Sequence, residues 1–149
     1  IVIIAGEDDR AETLAQVASR VPGISDASLR ALRDMRRDTY CAVAAYAAGP
    51  GANTYTAAVA VIRAENPDLL RLSCIHEELA QGLGLANDSP AARPSIFNDD
   101  DEFALLTTQD ELMLRILYDP RLRIGMTAAE ARPVIRQIAD ELIERPGPV

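Results

Sequence analysis

Polar side chains capable of chemistry concentrate in one stretch, residues 66–88, which reads NPDLLRLSCIHEELAQGLGLAND. At 3.6 residues per turn, Ser73, Glu77 and Gln81 form one helical row with Cys74 and Glu78 beside it, so Glu77 and Gln81 can converge on a shared ligand. His76, the only histidine, projects to the other side among Leu72, Ala80 and Leu83. A zinc-binding HExxH helix needs a second histidine four residues on, and that position is Ala80. His76 is therefore expected to be packed and hydrogen-bonded rather than metal-bound. Glu77 and Glu78 are adjacent and diverge by about 100°, which does not set two carboxylates across one scissile bond. Cys74 lacks a histidine on its side of the helix, which disfavours a thiol nucleophile.

The elements that must hold these groups follow from local signals. Asn66 is suited to an N-cap, Pro67 to the first helical position and Asp68 to the positive end of the helix dipole. Leu72, Ile75, Leu79 and Leu83 recur at helical spacing and Gly84 frees the backbone to turn, so a helix is expected over about 67–83. Upstream, residues 1–5 form an apolar β-type run ended by Gly6. Asp8 and Asp9 then lead into a helix carrying Leu14, Val17, Ala18 and Val21. Pro22-Gly23 breaks it, and Ser25 caps a second short helix with Leu29 and Leu32. Residues 39–47 and 54–63 read as strands of an antiparallel hairpin joined through the turn-rich 49–53.

Beyond the organising helix, NDSPAARPSIFNDDDEF (87–103) has few apolar residues and reads as a loop longer than ordinary connections. Asp99, Asp100, Asp101 and Glu102 form either a hard-cation site for calcium or magnesium or a solvated acidic turn, and they do not fit an EF-hand. Thr107 and Asp110 can cap a helix running to about Tyr118, which Asp119-Pro120 stops. Thr127 and Glu130 make a capping box for a last helix with Ile135, Ile138 and Leu142 on its buried face; Pro133 kinks or restarts it, and 145–149 form a loose tail.

A length of 149 residues and 48% hydrophobic content suit one domain with a real core. A formal charge of −8 argues against uniform attraction to nucleic-acid phosphates or anionic membranes, and 4% aromatic content argues against base stacking; Arg33, Arg36 and Arg37 read as a solvated helix end. The longest apolar run, 40–48, is strand-sized, so no transmembrane segment is expected. No repeat, Gly-rich phosphate loop or G-x-S-x-G elbow occurs. Cys41 and Cys74 are either a disulfide pinning the organising helix to the sheet, worth about 3 to 4 kcal/mol through restriction of the unfolded chain, or two reduced buried thiols.

Glu77-Glu78-Leu79-Ala80-Gln81-Gly82-Leu83-Gly84-Leu85-Ala86-Asn87 resembles the HExxHxxGxxH frame of the metzincin zinc peptidases. Pro94-Ser95-Ile96-Phe97-Asn98 resembles that family's Met-turn with Phe97 where methionine is expected, and 106–118 resembles the helix that closes such domains. The wording SCIHEELAQGLGLANDSP, PSIFNDDDEFALLT and DELMLRILYDPRL is also similar to a proteobacterial family of secreted proteins and lipoproteins with no assigned function.

The metzincin resemblance implies a single α+β, zincin-like domain over 1–149: a small mixed sheet, a central active-site-type helix and C-terminal helices, without an upstream strand and helix that the family supplies. It implies Glu78 as general base and Glu77, Gln81 and Asn87 or Asp88 in the ligand positions, with Ser95, Ile96 and Phe97 turning beneath. An all-oxygen set with an amide suits harder divalent cations, so zinc is not favoured. Two functions follow: a metallopeptidase-like site of non-standard type, or a catalytically inactive scaffold that binds a peptide or protein in the cleft, with 39–47 or 54–63 as the edge strand pairing with it. The secreted-family resemblance implies a Cys41–Cys74 disulfide and a periplasmic or lipid-anchored location outside the cytoplasm.

Overall fold

A computed structural model describes residues 1–21, 23–47, 49, 51–98 and 102–144. The chain is α+β, in the order β1 (Val2–Ala5), α1 (Arg10–Ala18), α2 (Asp26–Arg33), β2 (Cys41–Ala47), β3 (Tyr55–Arg63), α3 (Asp68–Gly82), α4 (Thr108–Leu117) and α5 (Ala128–Glu144). The three strands form one mixed sheet, β1-β3-β2, with β1 parallel and β2 antiparallel to β3. β3 is central and cannot serve as an edge; of the two strands in the hairpin, only β2 has an open side.

Strand alternation divides the chain into two layers around the sheet. Ile3, Ala5, Tyr46, Val59 and Val61 face Leu14 of α1 and Leu32 of α2, and this is the main core. The opposite face carries Cys41 and Val43 of β2 and Ala58, Ala60 and Ile62 of β3, in register across the hairpin. There α3 packs: Cys74 is bonded to Cys41, and a Cβ on Gly82 would lie 3.4 Å from that of Ala58. Small residues on both sides let helix and sheet approach closely.

Local signals place most boundaries, and two differ. Ser25 caps α2 through Ser28 N at 3.1 Å, and Thr107 and Asp110 form a reciprocal capping box on α4. Asn66, however, is not the cap of α3. That position is Pro67, which has no side chain to donate or accept, while Asn66 is buried and its Nδ2 donates to Tyr40 O at 3.1 Å. Arg71, in the first turn of α3, ties the helix to the segment before it, its Nη1 donating to the carbonyls of Ala64 and Asn66. α5 continues through Pro133 as one helix, with Ile138 buried but Ile135 exposed. Arg33 and Arg36 pair with Asp34 and Asp38, as a solvated helix end does. Among the described residues no helix is long and apolar enough to cross a membrane.

Candidate functional site

The face that α3 gives to the sheet is not its leucine stripe. Leu72, Leu79 and Leu83 are exposed, and the row toward the sheet is Cys74, Glu78 and Gly82, one turn apart, while Ala80 is buried on the opposite side of the helix. The disulfide and the Gly82 contact fix this rotation, because they bring the backbone of α3 too near the alanine-rich hairpin for leucines to fit between. Glu78 is thereby only 4% exposed, and its Oε2 has no hydrogen-bond partner. Such a group is costly to bury.

Glu78 opens onto a groove of about 650 Å³ at the C-terminal half of α3. Val2, Val43, Ala58, Leu79, Leu83 and Tyr118 are among its walls. Among the described residues lining it, Glu78 is the only carboxylate, and no lysine, arginine or histidine side chain is present. Burial first, then the charges of Glu77 and Asp88, push the Glu78 carboxyl up to about 8. With that value roughly a tenth of it is ionised at pH 7. In this environment Glu78 is chiefly an acid and a hydrogen-bond donor, and it becomes a base only as pH approaches 8.

The remaining polar residues gather nearby. Gln81 Nε2 donates to Asp88 Oδ1 at 3.3 Å, which turns the segment after α3 back over the helix end. Gly84, at φ +122°, makes that reversal; a side chain there is strained by conformation, and its Cβ, 3.1 Å from Leu117 Cδ2, would press that leucine aside. Asn87 is exposed to solvent. Among the described residues no three His, Cys, Asp or Glu side chains converge as a metal site, and the Gln81 amide is engaged with Asp88. His76 lies on the side of the C-terminal region, where its Nδ1 accepts from Leu106 N at 3.3 Å, a packed and hydrogen-bonded histidine.

The turn Ser95–Phe97, with Ser95 and Phe97 buried and Ile96 half-buried, is tied to this reversal: Ser89 N donates to Phe97 O at 2.8 Å. Its anchor is Asp110, fully buried at the start of α4. Asp110 accepts from Ser95 Oγ at 2.5 Å, Ile96 N at 3.0 Å and Thr107 N at 2.8 Å. The capping-box pattern flagged Asp110 only as a cap; its second role, holding a turn more than ten residues earlier, has no local signal. Asp110→Ala leaves Ser95 and two backbone N–H groups without their acceptor and is expected to cost about 3 kcal/mol in urea unfolding, with Asp110→Asn losing less. Asp99, Asp100 and Asp101 lie outside the described residues, and Glu102 is paired with Arg93.

A family model described as "Protein of unknown function (DUF2927)" matches residues 1–137. No curated protein and no solved structure matches the chain.

Proposed function

We propose, for a chain that belongs to the DUF2927 family, that this is a metzincin-like domain without standard zinc catalysis, whose groove binds a peptide or protein segment against Glu78. The observation that carries this conclusion is the buried Glu78 carboxyl, its Oε2 unpartnered, facing a groove whose lining is mostly apolar with Asn53, Thr54 and Thr56 at one end. A structural carboxylate would be expected to use both oxygens; one held without a partner is available to a ligand. In its protonated form it donates to a peptide carbonyl while Leu79, Leu83 and Tyr118 take apolar side chains. The metzincin-like part of this conclusion is supported by the α3 helix laid across a small mixed sheet, the Gly84 reversal and the tied Ser95–Phe97 turn. A disulfide in so small a domain supports an oxidising compartment, periplasmic or lipid-anchored.

The test is peptide binding as a function of pH, with a fluorescent library of short apolar peptides as the probe. Affinity for wild type is expected to fall as pH rises through 8, because ionised Glu78 can no longer donate. In Glu78→Gln, which always donates, affinity should be flat across the same range. Binding that is equally flat in both proteins removes Glu78 from the site.

A second function, a non-standard metallopeptidase with Glu77, Gln81 and Asn87 or Asp88 as ligands and Glu78 as base, is favoured by the negative charge that Glu77 and Asp88 crowd onto Glu78. It is tested by elemental analysis of protein purified without chelator and then supplied with zinc, manganese or calcium. A stoichiometric ion that is lost in Glu77→Ala supports it, and no ion under any of these conditions rejects it.

A further inference from the structure

We propose that the Cys41–Cys74 bridge is a reducible latch on the groove: closed, it keeps the groove open to a ligand, and a partner protein carrying a dithiol opens it and lets α3 turn to fill the groove. That regulation rests on the groove being a peptide site; the latch has a readout of its own, the position of α3.

The bridge holds α3 against its own hydrophobic preference. The row turned to the sheet is Cys74, Glu78 and Gly82: a bonded cysteine, a buried carboxyl and a residue with no side chain. Facing Gly82 are Val43 and Ala58, and Ala60 lies one alternate position further along β3. Such a contact buries little apolar surface and leaves Glu78 Oε2 without a partner. The row of Leu72, Leu79 and Leu83 lies about 100° round the helix and is exposed. Leu79 and Leu83 already stand in the groove lining with Ala58 and Ala60. A turn of α3 through part of that angle lays the leucines on the alanines and carries Glu78 toward water beside β2, where no other described strand lies. Both changes are favourable, and the covalent tie at Cys74 opposes them.

The two sulfurs differ in access. Cys41 is the first residue of β2, an edge strand among the described residues, and is half-buried, whereas Cys74 is buried. A thiolate of the partner's dithiol therefore attacks Cys41 Sγ, the S–S bond breaks, and Cys74 leaves as a thiolate. Asn66 is placed to receive it: its buried Nδ2 donates to Tyr40 O at 3.1 Å and to Cys74 Sγ at 3.8 Å. Cys74 then takes up a proton. The partner's second thiol attacks the mixed disulfide and releases Cys41, which is protonated in turn, and the partner departs as a disulfide. Two electrons and two protons have passed from the dithiol to the bridge.

The experiment uses the whole chain with thioredoxin as the dithiol probe. Thioredoxin whose second cysteine is replaced by serine is expected to be trapped as a mixed disulfide at Cys41, at least tenfold over Cys74, in peptide mass mapping. Methyl NMR of the oxidised and the reduced chain reads the turn. Contacts from the Leu79 and Leu83 methyls to those of Ala58 and Ala60 should strengthen on reduction, the Gly82–Ala58 contact should vanish, and reoxidation should restore the first pattern. Affinity for a fluorescent apolar peptide at pH 7 should fall at least tenfold on reduction. Cys41→Ser/Cys74→Ser should bind as the reduced chain does, with or without thioredoxin. A reduced chain that keeps Gly82 against Ala58, or that loses its fold altogether, overturns the latch, as does trapping at Cys74. An oxidised chain that binds no peptide overturns the groove reading and the regulation built on it, while the methyl contacts still decide the latch.

Discussion

Glu78→Gln should stabilise the protein by about 3 kcal/mol at pH 7 and by about 5 kcal/mol above pH 8, with little effect at pH 4.5. The sign follows from the two states. In the unfolded chain the carboxyl titrates at its ordinary 4.5, while in the folded chain burial and the charges of Glu77 and Asp88 push it up to about 8. Below 4.5 both states hold the proton and nothing is lost. Between 4.5 and 8 the unfolded chain releases it and the folded chain does not, so wild-type stability falls by about 1.4 kcal/mol per pH unit until the folded carboxyl also ionises. A neutral glutamine has no such slope. Urea unfolding at pH 5 and pH 8.5 for both proteins measures the difference. Parallel pH dependence in the two would mean that Glu78 is not held in the desolvated position described. A stabilising substitution at a groove carboxyl is the signature expected when a fold carries a reactive or ligand-binding group at a stability cost.

Removing the Cys41–Cys74 bridge should have the next largest effect. The two cysteines are 33 residues apart, and releasing a loop of that length returns about 4 kcal/mol of conformational freedom to the unfolded chain in the entropy model. For a domain of this size that lowers the thermal midpoint by on the order of 10 °C. The double variant Cys41→Ala/Cys74→Ala avoids leaving buried thiols and is the cleaner comparison with reduction by a phosphine. A loss below about 1 kcal/mol would contradict the loop-closure account. Because Cys74 sits one turn before Glu78 in the same buried row, the double variant should also let Glu78 titrate closer to 4.5, readable as a shallower pH slope in the same unfolding series.

Which parts were legible follows from how local their causes are. The β2–β3 hairpin, the Ser25 cap, both capping boxes and the stop at Gly84 depend on residues within one turn or one loop, and the sequence signals for them agree with the structure. Periodicity places α3 but does not say which of its faces meets the sheet. Leu72, Ile75, Leu79 and Leu83 are the apolar stripe, yet Cys74, Glu78 and Gly82 form the contact row. The deciding factor is the small side chains of the facing hairpin, Val43, Ala58 and Ala60, which no helical pattern contains. The burial of Glu78 and its raised titration were illegible for the same reason. Asp110 was recognisable as a cap because Thr107 lies three residues away, but its hold on Ser95 and Ile96 depends on the path of a long loop. Asn66 looked like a cap because the type is right; the carbonyl of Tyr40, brought near only by the fold, takes its side chain instead.

The parallel pairing of β1 with β3 has a kinetic consequence. Its partners are separated by 58 residues, Val2 against Ala60, whereas β2, β3 and α3 follow one another and meet through nearby contacts. Closing the long connection carries the larger chain-entropy cost, so the hairpin and its helix can assemble as a cooperative unit before β1 zips on. β1 is then the strand whose arrival closes the main core, because Ile3 and Ala5 bring the sheet against Leu14 of α1 and Leu32 of α2.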